Sequence, residues 1–158
     1  MGDGAGRVAH GEEEEVNAKA QRRKDAKRGD GVKENEIAAI VVDAALEVHR
    51  TLGPGLLESV YEEALTFELV SRALTVNRQK LVPLVYKGAR LASDLRLDLL
   101  VNELVIVECK ATTSYNPLFE AQALTYLRLC DLRLALVINF GERHVKQGIH
   151  RVVNRLEE

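Results

Sequence analysis

The segment Arg96–Lys110, RLDLLVNELVIVECK, limits the possible folds of this chain more than any other. Its two runs of Leu, Val and Ile, joined by Asn102-Glu103, suit a pleated and largely buried β-hairpin. Asp98, Glu108 and Lys110 nevertheless lie within those runs. Taking such charges out of water is costly unless a partner, a metal or a ligand offsets the loss. The turn then sets a condition on any shared role. With a two-residue turn at Asn102-Glu103, Asp98 would face Val107, and Asp98 and Glu108 would lie on opposite faces of the sheet. For the two acids to converge, one extra residue must be left unpaired between Leu97 and Glu108, through an odd-length loop or a β-bulge.

The rest of the chain must supply a core around this hairpin. At 158 residues the length fits one domain. Residues 1–33 have little apolar periodicity, with acids at Glu12 to Glu15 followed by a basic cluster from Lys19 to Arg28. This composition predicts a disordered charged tail, with a single domain over residues 34–158. Ile37, Ile40, Val41, Ala44, Ala45, Val48 and Leu52 recur at helical spacing behind Asn35, a plausible cap. Gly53-Pro54-Gly55 ends that helix, and a second is expected over about Leu56 to Ala73, burying Leu57, Tyr61, Ala64, Leu65 and Leu69. Residues 75–86 read as a strand that Pro83 confines to an edge or a bulge. Strands are also expected over residues 90–101, Leu104 to Ala111 and Arg133 to Phe140, with a short edge strand over Gly148 to Val153 and a helix from Pro117 to about Leu129.

Composition narrows the chemistry. The two cysteines, Cys109 and Cys130, provide no disulfide framework, zinc set or four-cysteine iron-sulfur cluster, so a metal would be held mainly by oxygen. A formal net charge of −2 does not advertise general attraction to nucleic acid, although a bound divalent ion would supply positive charge locally. Lacking an apolar run long enough for a membrane span and an apolar-centred signal in its first thirty residues, the chain is expected to be soluble and cytoplasmic.

Asp98 and Glu108-Cys109-Lys110 have the spacing of a D…(D/E)xK site. Two carboxylates offer hard oxygen ligands to Mg²⁺ or Mn²⁺, and an ion there can engage a phosphate and lower the pKa of water. Lys110, on the same strand face as Glu108, can hold the attacking water or stabilise charge building on phosphorus. On a helical wheel Glu58 lies within roughly 20° of Leu65 and Leu69, so it is expected on the core side, with Glu62 turned towards solvent. A first-turn acid that merely complements the helix dipole is the alternative for Glu58. His49, near the end of the first helix, reads by itself as a dipole partner. Gln122 and Tyr126, four residues apart, share a helix face. A blander account of the strand charges has Glu108 and Lys110 pairing with each other or with Arg96.

Taken together, Gly55-Leu-Leu-Glu58-Ser-Val-Tyr61, Arg96-Leu-Asp98-Leu-Leu-Val101, Glu108-Cys-Lys110, Gln122-Ala-Leu-Thr-Tyr126 and Asn139-Phe-Gly141 resemble the GxxExxY family of the PD-(D/E)XK nuclease superfamily. The resemblance covers about residues 36–154. It implies an α/β restriction-endonuclease-like core, a central mixed β-sheet flanked by helices. It also implies Asp98 and Glu108 as metal ligands, Lys110 as the catalytic lysine and Glu58 as a helix-borne acid completing the metal site. Gln122 and Tyr126 match the QxxxY motif that lies beside the site in the exonuclease-like branch, and His49 falls where some relatives carry a metal-binding histidine. Leu97 replaces the proline of the superfamily's name, and the cysteines of iron-sulfur relatives are absent. The expected function is Mg²⁺- or Mn²⁺-dependent hydrolysis of nucleic acid, with DNA as substrate, and a homodimer or another protein partner is left open. The alternative is a catalytically silent module of the same fold that binds nucleic acid or serves in protein assembly.

Overall fold

The computed structural model describes residues 32–157. The expected charged tail lies outside the described residues except at its C-terminal end, where helix α1 already runs over Val32–Leu52. Helix α2 spans Glu58–Ser71, followed by β1 (Val76–Tyr86), β2 (Ala89–Val101), β3 (Val105–Lys110), α3 (Leu118–Cys130), β4 (Leu134–Asn139), a 3₁₀ turn (Val145–Gly148) and β5 (Ile149–Val153). Asn35 is not a cap: α1 begins three residues earlier, and the Asn35 side chain instead accepts a hydrogen bond from Arg151.

The five strands lie in the order β1-β2-β3-β4-β5. β1, β2 and β3 form an antiparallel meander, β3 and β4 pair in parallel across α3, and β5 returns antiparallel to β4. This is the α/β architecture expected, a mixed sheet between helical layers. The apolar residues of α1 and α2 cover one face, meeting Leu99, Val101, Val105, Val107, Cys109, Leu136 and Ile138. Helix α3 covers the other, where Ala123 and Leu127 meet Leu97, Leu100, Ile106, Ala135 and Val137. β4, flanked by β3 and β5 and buried along its whole length, is apolar up to Asn139 and lies within the strand expected over Arg133 to Phe140.

Two features of the meander position the site. Its β2–β3 connection is the three-residue loop Asn102-Glu103-Leu104, an odd number, with Asn102 and Glu103 at positive φ. The Asn102 side chain accepts hydrogen bonds from the Thr75 N–H (2.8 Å) and hydroxyl (3.0 Å), tying the loop to the start of β1. The edge strand β1 also loses register between Pro83 and Val85, so Pro83 marks both an edge and an irregularity.

Candidate active site

The odd-length loop pairs Leu99 with Val107 and Val101 with Val105. One step further along the same register, Asp98 comes opposite Glu108, and regular pairing stops. The carboxylates take over the ladder. Glu108 Oε1 accepts the Asp98 N–H at 3.2 Å, and Asp98 Oδ2 accepts the Cys109 N–H at 2.9 Å. On the other side of β2, Gln79 stands across from Asp98 but does not pair with it and has φ +51°. Leu97 and Leu99, which strict alternation would put on one face, pack in opposite layers. The odd-length loop thus supplies the irregularity required by the sequence, and both ladders of β2 also break at Asp98.

The acids face the α3 layer, as do Leu100 and Ile106, their neighbours two positions along each strand. Glu108 is only 7% exposed. Burial, reinforced by the Asp98 charge, pushes its pKa up to about 8, while Lys110 pulls it in the opposite direction. A proton or a cation must then resolve the pair. Hard oxygen donors that repel each other in a desolvated setting fit a divalent cation, whose charge relieves both penalties. Among the described residues no group of three or more His, Cys, Asp or Glu side chains forms a ready-made metal cage. The donor set is two carboxylates, which suits an ion that keeps part of its water shell.

Lys110 lies two positions beyond Glu108, with Nζ 4.6 Å from the centroid of the Phe119 ring on α3. The chain leaving Lys110 is clamped. Phe140 donates its N–H to the Lys110 carbonyl at 2.8 Å. The Asn139 carboxamide accepts the Thr112 and Gly141 N–H groups at 3.0 Å each and donates to the Thr112 carbonyl at 3.0 Å. Gly141 has to be glycine here, since a Cβ would lie 2.3 Å from the Thr112 carbonyl oxygen. Phe140 stacks on Tyr61 with centroids 4.6 Å apart, and the Tyr61 hydroxyl donates to the Gly53 carbonyl at 2.6 Å. The Gly55-to-Tyr61 and Asn139-to-Gly141 segments thus form one brace under the strand that carries Glu108 and Lys110.

Tyr126 is half-buried on α3, and its hydroxyl pKa is raised first by burial and then by Glu108 and Asp98, against a lowering hydrogen bond from Gln122. Gln122 and Tyr126 therefore join Asp98, Glu108 and Lys110 on the α3 side.

Glu58, the first residue of α2, is exposed and not on the core side as expected, whereas Glu62, expected towards solvent, is buried (5%) and accepts from Arg78 Nε at 3.2 Å and Gln79 Nε2 at 2.8 Å. The wheel could not separate them, because Glu62 also falls within roughly 20° of Leu69. Their position along the helix decides it. Glu58 is the first helical residue, while Glu62, one turn in, meets the base of β1. Both charges still reach the buried Cys109 thiol, whose pKa rises through burial, then Asp98, Glu62, Glu108 and Glu58.

His49 is buried (9%), with Nε2 2.8 Å from the Glu142 carbonyl oxygen. It lines an open cavity of about 930 Å³ with Asp43, Arg72, His144 and Lys146, and none of Asp98, Glu108 or Lys110 borders that space. Two contributors are not apparent in the sequence: Glu62, whose wheel angle was the available signal, and Phe119, which nothing in the local pattern distinguishes from an ordinary core aromatic.

A family model described as the PD-(D/E)XK nuclease superfamily matches residues 35–152. The chain belongs to the PD-(D/E)XK nuclease superfamily. The mixed sheet and its helices agree with the restriction-endonuclease-like fold of that superfamily. No curated protein and no solved structure matches the chain. Membership points to nuclease activity on a nucleic acid and to a divalent metal as cofactor. Among the described residues no helix is long and apolar enough to cross a membrane.

Proposed function

We propose that this PD-(D/E)XK protein is a Mg²⁺- or Mn²⁺-dependent nuclease that hydrolyses DNA phosphodiesters, and that it belongs to the GxxExxY branch. The observation that carries the reading is the Asp98–Glu108 pair. Two carboxylates face each other where both ladders of β2 break, and Lys110 follows on the same strand. Asp98 and Glu108 would hold the ion, which when bound supplies positive charge to a phosphate oxygen and lowers the pKa of water. Their part-buried hydrogen bonds to the Asp98 and Cys109 N–H groups fix both carboxylates before substrate arrives, so little reorganisation is needed. Lys110, seated over Phe119, orients the attacking water and offsets negative charge on the phosphorus oxygens. Tyr126, whose hydroxyl feels the Glu108 and Asp98 charges, and its hydrogen-bond partner Gln122 offer polar groups to the substrate backbone or the lysine. Glu58, exposed on the α2 side, and His49, bonded to Glu142, are not carried into the ligand set.

The test is incubation of purified protein with linear, nicked and branched DNA and with RNA, in Mg²⁺, Mn²⁺ or chelator. Metal-dependent cleavage of DNA that disappears in Asp98→Ala and Lys110→Ala is the expected result. Cleavage that persists in either variant would overturn the mechanism. Binding without turnover across all substrates and metals would favour a silent binding or assembly module.

A further inference from the structure

The strand that carries Asp98 continues well past the sheet. β2 runs over Ala89–Val101 but pairs with β3 only from Leu99 onwards, so from Ala89 to Leu97 its only strand partner among the described residues is β1. β1 is an edge strand and has no partner on its other side among the described residues. The result is a two-stranded arm with both edges open. Val82, Leu84, Leu95 and Leu97 anchor its base in the α3 layer. Beyond them, residues 85–94 are exposed, including the tip at Tyr86 and Lys87.

The arm's charge differs from that of the whole chain. Between Val76 and Leu97 stand five cations, Arg78, Lys80, Lys87, Arg90 and Arg96, and one acid, Asp94, whereas the whole chain is formally −2. Arg78 is occupied by Glu62 and Arg90 by Asp94. Lys80 and Arg96 are exposed, have no ion-pair partner among the described residues, and lie on opposite faces of the ribbon, since Lys80 pairs with Leu97 and Arg96 with Leu81. Lys87 reaches only the neighbouring Tyr86 ring, at 5.5 Å. Cations on both faces suit a ribbon flanked by phosphates on two sides. They also oppose self-pairing of two such arms.

We propose that the β1–β2 arm enters the major groove of duplex DNA and guides the backbone towards Asp98, an inference that rests on the nuclease reading above. From Lys80 to Tyr86 the arm reaches about 20 Å at strand rise. The major groove of B-DNA is about 12 Å wide and admits a two-stranded β-ribbon. The major groove of A-form RNA is deep and narrow, closed to such an element. The substrate class is therefore duplex DNA, gripped through phosphates, with sequence discrimination limited by the few side chains at the tip.

The experiment compares wild type, Lys87→Glu alone, Lys87→Glu/Arg90→Glu and Lys80→Ala/Arg96→Ala, all exposed positions outside the proposed catalytic set. Binding of a fluorescent 20-base-pair DNA duplex and its RNA counterpart is measured against salt in Ca²⁺, and hydrolysis of bis-p-nitrophenyl phosphate in Mn²⁺ reports the active site independently. Circular dichroism confirms the fold of each variant. The expected result is a rise of at least tenfold in Kd for duplex DNA in both double variants and a smaller rise for Lys87→Glu. The slope of log K against log salt should flatten by about 0.9 for each phosphate that the variant no longer neutralises. Hydrolysis of the small diester should be unchanged. Equal affinity for the RNA duplex would overturn groove entry, as would unaltered DNA affinity in the double variants while wild type cleaves DNA. Loss of a wild-type dimer in the arm variants would assign the arm to self-association and overturn the proposal. Absence of diester hydrolysis and DNA cleavage in wild type would instead sink the nuclease reading on which it rests.

Discussion

Three acids are buried among the described residues, and their surroundings divide them into two kinds. Glu34 on α1 is 2% exposed and faces Arg133, with Nη2 at 2.9 Å and Nε at 3.1 Å from Oε1. Glu62 on α2 is held by Arg78 and Gln79. Glu108, hardly more exposed, faces Asp98, and of these three acids it alone is turned towards another carboxylate. At Glu34 the charge is compensated within the chain and helps fasten α1 to the end of the sheet. At Glu108 compensation is left to a proton or a cation. Burial by itself therefore does not mark a functional acid, whereas burial against a like charge does.

The largest expected effect separates the two kinds by activity. Asp98→Asn and Glu108→Gln should each lower metal-dependent DNA cleavage by about a thousandfold or more while the fold is retained. Glu34→Gln, compared as folded protein, should stay within about twofold of wild type. Equal losses at Glu34 and Glu108 in well-folded variants would erase the distinction.

Stability should sort them in reverse. Glu34→Ala takes the facing carboxylate away from the Arg133 guanidinium in a site that is 12% exposed, and breaking a buried pair of this sort costs about 3 to 5 kcal/mol. Glu108→Gln removes a like-charge contact and, in chelator at pH 8, should leave stability unchanged or raise it. Urea titrations of both variants give the comparison. A larger loss for Glu108→Gln than for Glu34→Ala would mean that Glu108 is chiefly structural.

The pH dependence sharpens the same contrast. Folding raises the Glu108 pKa from its ordinary 4.5 to about 8, so across that window the folded protein holds a proton that the unfolded chain has released. In chelator this contribution is fully present below pH 4.5 and is lost as pH rises towards 8, at a slope of at most about 1.4 kcal/mol per pH unit. Glu108→Gln should remove that slope, and Mg²⁺ should oppose it in wild type by binding the ionised pair. A wild-type profile identical to that of Glu108→Gln in chelator would contradict the burial argument.

How much of this was legible in the sequence depended on whether a local rule governed the residue. Side-chain alternation is strict, so the demand that Asp98 and Glu108 share a face already required an irregularity, and the Asn102-Glu103-Leu104 loop meets it. The apolar runs of β3 and β4 and the stripe of α1 were equally plain. Glu58 and Glu62 were not, because a helical wheel gives an angle but not a depth along the axis. Which acid is covered depends on where β1 crosses α2, through Arg78 and Gln79. The Asn139 clamp on Thr112 joins residues 27 apart in sequence, and only the parallel pairing of β3 with β4 brings them together.

The smallest effect concerns Phe119, where a core aromatic also seats a charge. Its ring carries Lys110 at 4.6 Å and meets Tyr115 edge-on at 5.5 Å, while Tyr115 stacks on His150 at 4.0 Å. Phe119→Leu keeps an apolar side chain against the α3-side core but removes the ring face, and a cation–π contact in a half-buried setting contributes about 1 kcal/mol. Turnover at saturating DNA should fall by roughly threefold to tenfold with KM nearly unchanged, because the ring positions Lys110 and does not bind substrate. Phe119→Tyr, which retains the ring face, should recover most of the loss. A rise in KM without a fall in kcat would instead place Phe119 among the substrate contacts and free Lys110 from dependence on it.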